Sequence, residues 1–300
     1  MENEQMAHQT QWRYPDALVE TDWLAANLDD PNLRIFDCTT YLRAPGDDLD
    51  VPYIVESGRA DYEAAHIPGA GFLDLQNDLS DNAIPLRFTM PASDVLATAF
   101  AAKGIGDDTR VILYSRGAMQ WSTRIWWMLR AIGFDNAAIL NGGWEKWADE
   151  GRPQSAGDHD YAPAILTARP RGGLFVGKDA VRAAIGSESI CTLNALSAEL
   201  HSGEGERYGR PGRIPGSVNV PAASLSNPAD KALLSPQAVQ QAFSAAGVVS
   251  DKKIIAYCGG GIAASLDAYL LHQLGYTDIA IYDASLSEWA PDPDLPMETG

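Results

Sequence analysis

The residues best suited to chemistry are Cys258 and the loop that follows it. An apolar run, Ile254-Ile255-Ala256-Tyr257, leads into Cys258-Gly259-Gly260-Gly261-Ile262-Ala263, and a further apolar stretch follows. The first run is predicted to be a buried strand and the stretch after the glycines a helix, which sets the sulfur at the carboxyl end of a strand, where ligands bind in such sheets. Three successive glycines let the backbone turn several N–H groups inward, and the helix N-terminus adds its positive end, so the loop can cradle an anion. A thiol of ordinary pKa, about 8.5, is only about 3% thiolate at pH 7, and each unit of lowering needs about 1.4 kcal/mol of preferential anion stabilisation. Converging amides and a helix terminus can supply roughly one to two such units, enough to make Cys258 a nucleophile and to hold a persulfide anion. The alternative, a small buried cysteine in a tightly packed turn, is weakened by an internal repeat.

Val111-Ile112-Leu113-Tyr114-Ser115-Arg116-Gly117 has the form of Ile254-Ile255-Ala256-Tyr257-Cys258-Gly259-Gly260. Arg130-Ala131-Ile132-Gly133-Phe134 matches Gln273-Leu274-Gly275-Tyr276, Gly143-Trp144-Glu145-Lys146-Trp147 matches Leu286-Ser287-Glu288-Trp289, and His66-Ile67-Pro68-Gly69-Ala70 matches Arg213-Ile214-Pro215-Gly216-Ser217. The landmarks keep their order at a spacing of roughly 145 residues, which means a duplicated domain rather than a solenoid. The first copy carries Ser115-Arg116-Gly117-Ala118 where the second carries Cys258 and glycines, so the fold itself does not demand glycine there.

Each copy alternates strand and helix. Strands are expected at 33–37, 110–114 and 137–140 with helices at 91–102 and 123–132; the second copy repeats this with strands at 189–193, 253–257 and 279–282 and helices at 235–246 and 263–274. The fold class is therefore α/β, two tandem domains of mostly parallel sheet with helices on both faces. The boundaries are drawn at residues 1–152 and 173–300, with the Gly- and Pro-rich segment 153–172 as linker.

Composition narrows the function. The chain has 300 residues, 46% hydrophobic and 21% charged, with 22 Lys and Arg against 40 Asp and Glu for a net charge of -18. That balance argues against nucleic acid and anionic membranes as partners. The polar N-terminus and the lack of a long apolar segment suggest a cytoplasmic protein. Three cysteines, Cys38, Cys191 and Cys258, make no disulfide framework and no CxxC or Cys/His cluster, so no metal and no cofactor are expected.

These residues resemble the rhodanese family, specifically the tandem thiosulfate and 3-mercaptopyruvate sulfurtransferases, over about residues 16–293. The resemblance runs through His66-Ile67-Pro68-Gly69-Ala70, Leu140-Asn141-Gly142-Gly143-Trp144, the stretch from Ile214 to Pro221, the Cys258 loop, and Tyr282-Asp283-Ala284-Ser285-Leu286-Ser287-Glu288-Trp289. It implies a catalytic second domain and a first domain that has lost its cysteine, in keeping with Ser115. Cys258 would take a sulfane sulfur from a small-molecule donor, hold it as a persulfide under the amides of Gly259, Gly260, Gly261, Ile262 and Ala263, and pass it to cyanide or to a thiol acceptor such as thioredoxin.

The resemblance also bears on the donor. Thiosulfate enzymes carry cations just after the cysteine, where Gly259 and Gly260 are uncharged; mercaptopyruvate enzymes usually read Cys-Gly-Ser-Gly-Val-Thr, and Gly260 and Ala263 lack both hydroxyls. Of two arginines that the latter offer a substrate carboxylate, the later aligns with Arg207 and the earlier falls at Ala198. The acid that ends the first strand of family domains is Asp37, with Asn194 in the second copy. Relatives set the histidine of the His66 turn near the interdomain cleft, making His66 a candidate cleft residue against the plainer reading of a turn histidine bonding the backbone.

Other side chains read as structure. Arg213 is expected to be structural or at the surface, Cys38 and Cys191 to be inert, Trp121, Trp126 and Trp127 to pack helix on sheet or domain on domain, and Arg116 and Arg124, which could reach the cleft, to be solvated instead. Two rival functions stand beside the sulfurtransferase. Cysteine phosphatases and arsenate reductases close their loop with an Arg, at the position Ala264 holds here, and the loop has no cation to neutralise a phosphate dianion. A non-catalytic rhodanese-type binding or sulfur-carrier module is usually marked by loss of the nucleophile, which Cys258 retains.

Overall fold

A computed structural model describes residues 11–45 and 51–300. The first sheet contains β1 (Leu18–Val19), β2 (Leu33–Asp37), β5 (Ala70–Phe72), β6 (Arg110–Tyr114) and β7 (Ala137–Leu140), in the order β1-β7-β6-β2-β5 and parallel throughout. The second contains β8 (Phe175–Val176), β9 (Ile190–Asn194), β10 (Val218–Asn219), β11 (Lys253–Tyr257) and β12 (Ile279–Tyr282), in the order β10-β9-β11-β12-β8, again all parallel. Read from β8, the second sheet repeats the first strand for strand, as the duplicated sequence requires.

The central strands β6 and β11 each bury their last four residues, because a parallel strand covered on both faces needs a continuous apolar run rather than an alternating one. An antiparallel hairpin, β3 (Thr40–Arg43) with β4 (Ile54–Ser57), stands outside the sheets and brings Tyr53 toward the second domain.

Helices α1 (Thr21–Ala26), α2 (Arg59–Ala64), α3 (Leu75–Asp78), α4 (Ser93–Ala102), α5 (Gln120–Ala131) and α6 (Gly143–Asp149) belong to the first copy. The second has α7 (Lys178–Ala184), α8 (Ala198–Ser202), α9 (Pro236–Ala245), α10 (Ala263–Gln273) and α11 (Ser285–Trp289). Helix α9 starts where the chain dictates: Ser235 accepts from the Ala238 amide at 3.3 Å and Pro236 fills the first turn, where no N–H is needed. Among the described residues no helix is long and apolar enough to cross a membrane.

The two copies meet through α5 and α10, the helices that follow the two equivalent loops. Thr123 Oγ1 and Ser265 Oγ are 2.9 Å apart, and Trp126 stands edge-on to Tyr269 at 5.0 Å. Trp121, Trp126 and Trp127 are all buried in one apolar core that runs through both copies, and Trp127 donates to the Leu174 carbonyl at 3.1 Å. The tryptophans therefore pack domain on domain, as expected, across an apolar interface. Residues 156–173 form no strand or helix and lie against the first copy, where Tyr161 OH donates to Gly69 O and accepts from the Ile35 amide at 2.9 Å.

Arg124 departs from the expectation of a solvated charge. It is 0% exposed and crosses between the copies, with Nη2 at 2.6 Å from both Asp283 Oδ1 and the Phe88 carbonyl. Arg116 departs likewise: it lies over the Trp144 ring at 3.9 Å and donates to the Asp61 carbonyl. Both side chains follow an apolar path inward because the helix or loop that carries them faces another element rather than water. Arg213 is structural, paired with Glu298 at 2.5 Å and donating to the Gly300 carbonyl at 2.7 Å.

Candidate active site

Cys258 directly follows β11 and is 2% exposed. Its carbonyl accepts from the Leu286 amide at 3.1 Å, and the Gly259 carbonyl accepts from the amide and the hydroxyl of Ser287 at 2.8 and 2.6 Å. Both carbonyls are thus turned toward α11, and so are two of the loop's N–H groups. Those two amides are already used: Cys258 N and Gly261 N donate to Ser285 Oγ at 3.0 and 3.2 Å. The amides of Gly259, Gly260 and Ile262 donate to no acceptor among the described residues, and Ala263 opens α10 with the free N–H groups of a helix N-terminus. The cradle predicted from the glycines is therefore narrower than the sequence suggested, because Ser285 occupies one side of it.

The glycines also make room. A Cβ on Gly259 would overlap the Tyr208 ring, and one on Gly260 would come within 3.2 Å of the Tyr53 hydroxyl. Gly261 has φ +74 and its missing Cβ would strike the Asp283 carbonyl. Tyr53 and Tyr208 stand edge to face at 6.5 Å, and Phe88 stacks on Tyr53 at 6.3 Å. An aromatic wall from both copies thus roofs the loop.

Beyond it opens a cleft of about 640 Å³ between the copies, lined by Tyr53, Arg87, Arg207, Tyr208 and Ser287 among others. Burial pushes the Tyr208 phenol up, and the charge of Cys258 adds to this. Burial likewise raises Tyr53, with the Cys258 charge acting the same way and Arg87 and Arg207 acting against it. Both phenols therefore stay protonated near neutrality and offer O–H donors beside the sulfur.

Of the residues singled out in the sequence, Arg207 lines this cleft, and Cys258 with its loop lies behind the cleft's Tyr53 and Tyr208 wall. Arg207 sits at the mouth, 5.9 Å from the Tyr53 ring and 6.0 Å from the Tyr208 ring. His66 is elsewhere in the first copy: it is 2% exposed, its Nδ1 donates to the Tyr62 carbonyl at 2.8 Å, and its ring stacks on Tyr62 at 4.4 Å. It does not line the cleft, and its geometry is that of a turn histidine bonding the backbone. Cys38 is fully buried and Cys191 partly so, and burial raises both thiols.

In the equivalent loop of the first copy the protein's own groups occupy the hydrogen-bonding positions. Ser115 Oγ is 2.8 Å from the Ala118 carbonyl and from Ser122 Oγ, and the Gly117 amide donates to Glu145 Oε1 at 2.7 Å, so the chain's own carboxylate takes the anion position. Sequence reasoning missed Tyr53, Arg87, Tyr208, Ser285 and Ser287. Ser285 and Ser287 lie inside a stretch that the repeat had already aligned with Gly143 and Glu145, and those two substitutions were the available signal.

Known proteins share this tandem fold. A family model described as a Rhodanese-like domain matches residues 20–150 and 203–292. The chain is 31% identical to a 3-mercaptopyruvate sulfurtransferase of Escherichia coli (strain K12), covering 93% of this chain and 97% of that one. It is also 31% identical to a thiosulfate sulfurtransferase of Bos taurus, covering 95% and 94% respectively. Among solved structures, SseA from Escherichia coli, described as a rhodanese fold with a 3-mercaptopyruvate sulfotransferase mechanism, superposes with a TM-score of 0.77 at 29% identity, covering 90% of this chain and 98% of that one. An anaerobic ergothioneine biosynthesis enzyme from Chlorobium limicola shares the fold alone, at 21% identity and a TM-score of 0.81 over 96% of this chain and 71% of that one.

Proposed function

Because the chain belongs to the rhodanese family and is a sulfurtransferase of the thiosulfate and 3-mercaptopyruvate type, we propose that Cys258 is its nucleophile and carries the sulfur as a persulfide. The observation that carries this reading is the set of unpartnered amides of Gly259, Gly260 and Ile262 around a single buried thiol at the N-terminus of α10. Backbone donors fixed in this way stabilise an anion without reorganising.

With 3-mercaptopyruvate, the Cys258 thiolate attacks the thiol sulfur. The new S–S bond forms as the C–S bond breaks, and the C–S electron pair leaves on carbon as the enolate of pyruvate, which takes up the proton. With thiosulfate the outer sulfur moves and sulfite leaves with the S–S pair. In the second half-reaction cyanide attacks the outer persulfide sulfur, thiocyanate departs and the Cys258 thiolate returns; a dithiol acceptor, thioredoxin among proteins, does the same by thiol exchange. We favour 3-mercaptopyruvate as donor, because Gly259, Gly260 and Gly261 put no cation beside the sulfur, and we assign Arg207 to the donor's anionic group.

The division of labour follows. We assign residues 1–152 to a first domain without a nucleophile, 153–172 to a linker and 173–300 to the catalytic domain. Support comes from β8, which pairs with β12 directly after the linker. A cytoplasmic setting suits three free cysteines.

Intact mass tests the proposal. Incubation with each donor should add about 32 Da, one sulfur, to the protein and nothing to Cys258→Ser, and cyanide or dithiol should remove it. A protein that gains no mass with either donor would instead be a non-catalytic rhodanese-type module.

A further inference from the structure

Arg87 has no counterpart in the Cys258 loop or its surroundings in sequence, yet it lines the same cleft as Arg207 from the opposite copy. Its presence there is built rather than incidental. The next residue, Phe88, has φ +62, a left-handed conformation that a bulky aromatic residue adopts only under constraint. That conformation is pinned on every side. The Phe88 amide donates to Gln76 Oε1 at 3.3 Å, its carbonyl accepts from Arg124 Nη2 at 2.6 Å, and the Met90 amide donates to Asp283 Oδ2 at 2.8 Å. The Phe88 ring is 1% exposed between Tyr53 and Trp121. Strain held this firmly fixes the backbone from which Arg87 enters the cleft.

From this arrangement we infer that Arg87 and Arg207 form a two-domain clamp for the anionic head of the sulfur donor, making Arg87 a specificity-determining residue contributed by the copy that has no nucleophile. The inference rests on the reading of Cys258 as the persulfide carrier and adds to it where the donor's charge is bound. Neither arginine has a carboxylate within ion-pair distance among the described residues, although Glu206 lines the same mouth.

The position of the clamp selects the class of donor. Arg207 stands about 6 Å from the centres of the Tyr53 and Tyr208 rings, and those rings in turn lie against the glycine loop that carries the sulfur. In thiosulfate the charge sits on the group bonded directly to the transferred sulfur. In a 3-mercapto-2-oxo acid two carbons separate the sulfur from the carboxylate, and the carboxylate can reach a guanidinium fork while the sulfur reaches Cys258. The phenol of Tyr53, which feels Cys258, Arg87 and Arg207 together, lies between the two ends.

Steady-state kinetics of Arg87→Ala and Arg87→Lys, with 3-mercaptopyruvate and with thiosulfate, test the clamp. Arg87→Ala should raise KM for 3-mercaptopyruvate by about tenfold or more with kcat changed less than about threefold, Arg87→Lys should fall between it and the wild type, and KM for thiosulfate should move less. Discharge of a preloaded Cys258 persulfide by dithiothreitol, a neutral acceptor, should keep its rate in both variants. An unchanged KM for 3-mercaptopyruvate would overturn the clamp. So would an equal fall of kcat with both donors together with slower persulfide discharge, since that pattern marks a structural role. Failure of the wild type to gain about 32 Da would remove the Cys258 reading itself, and the clamp with it, whatever the variants do.

Discussion

Ser285 Oγ accepts from the amide of Cys258 at 3.0 Å and gives its own proton to the Tyr282 carbonyl at 2.7 Å. It does so from a left-handed backbone, φ +52, at the position where the first copy has Gly143 with φ +54. The second copy thus keeps a backbone shape suited to glycine and accepts a serine there, at a cost of about 1–2 kcal/mol. What it gains is a hydroxyl that ties Cys258 N to Gly261 N and fixes the loop's shape.

Replacing that residue separates the two effects. Ser285→Ala keeps the backbone strain and leaves two buried amides without an acceptor, which should lower stability by about 1–3 kcal/mol and kcat by tenfold or more. Ser285→Gly relieves the strain, so it should melt above Ser285→Ala while staying as slow. Thermal unfolding together with steady-state rates measures both, and a Ser285→Gly enzyme with wild-type rate would mean that the loop holds its shape unaided.

The pair of buried Arg124 and partly buried Asp283 joins the copies behind the same loop. Arg124→Met would leave Asp283 Oδ1 and the Phe88 carbonyl without their 2.6 Å partner. Breaking one side of a buried pair costs about 3–5 kcal/mol. Chemical denaturation of Arg124→Met, Asp283→Asn and the double variant should show the double variant less damaged than the sum of the singles. Strict additivity would mean that the two residues do not act as a unit.

The sequence made some of this architecture plain and hid the rest for physical reasons. Strands β6, β7, β11 and β12 fall where predicted because a fully buried parallel strand must be a continuous apolar run. Strands β1, β8 and β10 have two residues each, too few for any periodicity to show. The Cys258 loop was legible because its chemistry is local: sulfur, glycines and helix are consecutive. The cleft was not, because Tyr53 and Arg87 come from loops of the other copy. Arg124 looked like an ordinary helix-surface charge because its partner Asp283 is 159 residues away. The cradle was drawn too wide for a related reason. Nothing in the glycines themselves announces that Ser285 takes the N–H groups of Cys258 and Gly261.

Acid should weaken the interface through His272, which stacks on Tyr14 at 4.2 Å and is 7% exposed. Burial first, then Arg130, lowers its pKa to about 4, with Asp135 opposing. A folded-state value below the unfolded one, about 6.5, means that the unfolded chain binds the proton more readily. The stability is therefore complete above about pH 6.5 and is lost as pH falls toward 4, by no more than about 3 kcal/mol. His272→Phe, which preserves the stack without the titration, should show a smaller loss over this window in urea unfolding; an identical loss would assign the acid sensitivity to other groups.

Asp267 on α10 works in the opposite sense. It is 0% exposed, neither carboxylate oxygen has a hydrogen-bond partner among the described residues, and burial pushes its pKa well above the usual carboxylate range. Here the folded state holds the proton more tightly than the unfolded chain, whose value is about 3.9, so the contribution to stability is complete below about pH 4 and is lost as pH rises toward the folded value. Asn has the same shape and no proton to lose. Asp267→Asn should therefore match the wild type near pH 4 and exceed it increasingly toward pH 8, by about 1–3 kcal/mol, in urea unfolding at a series of pH values. An advantage that does not grow with pH would mean that the Asp267 carboxyl is held in its charged form by a partner.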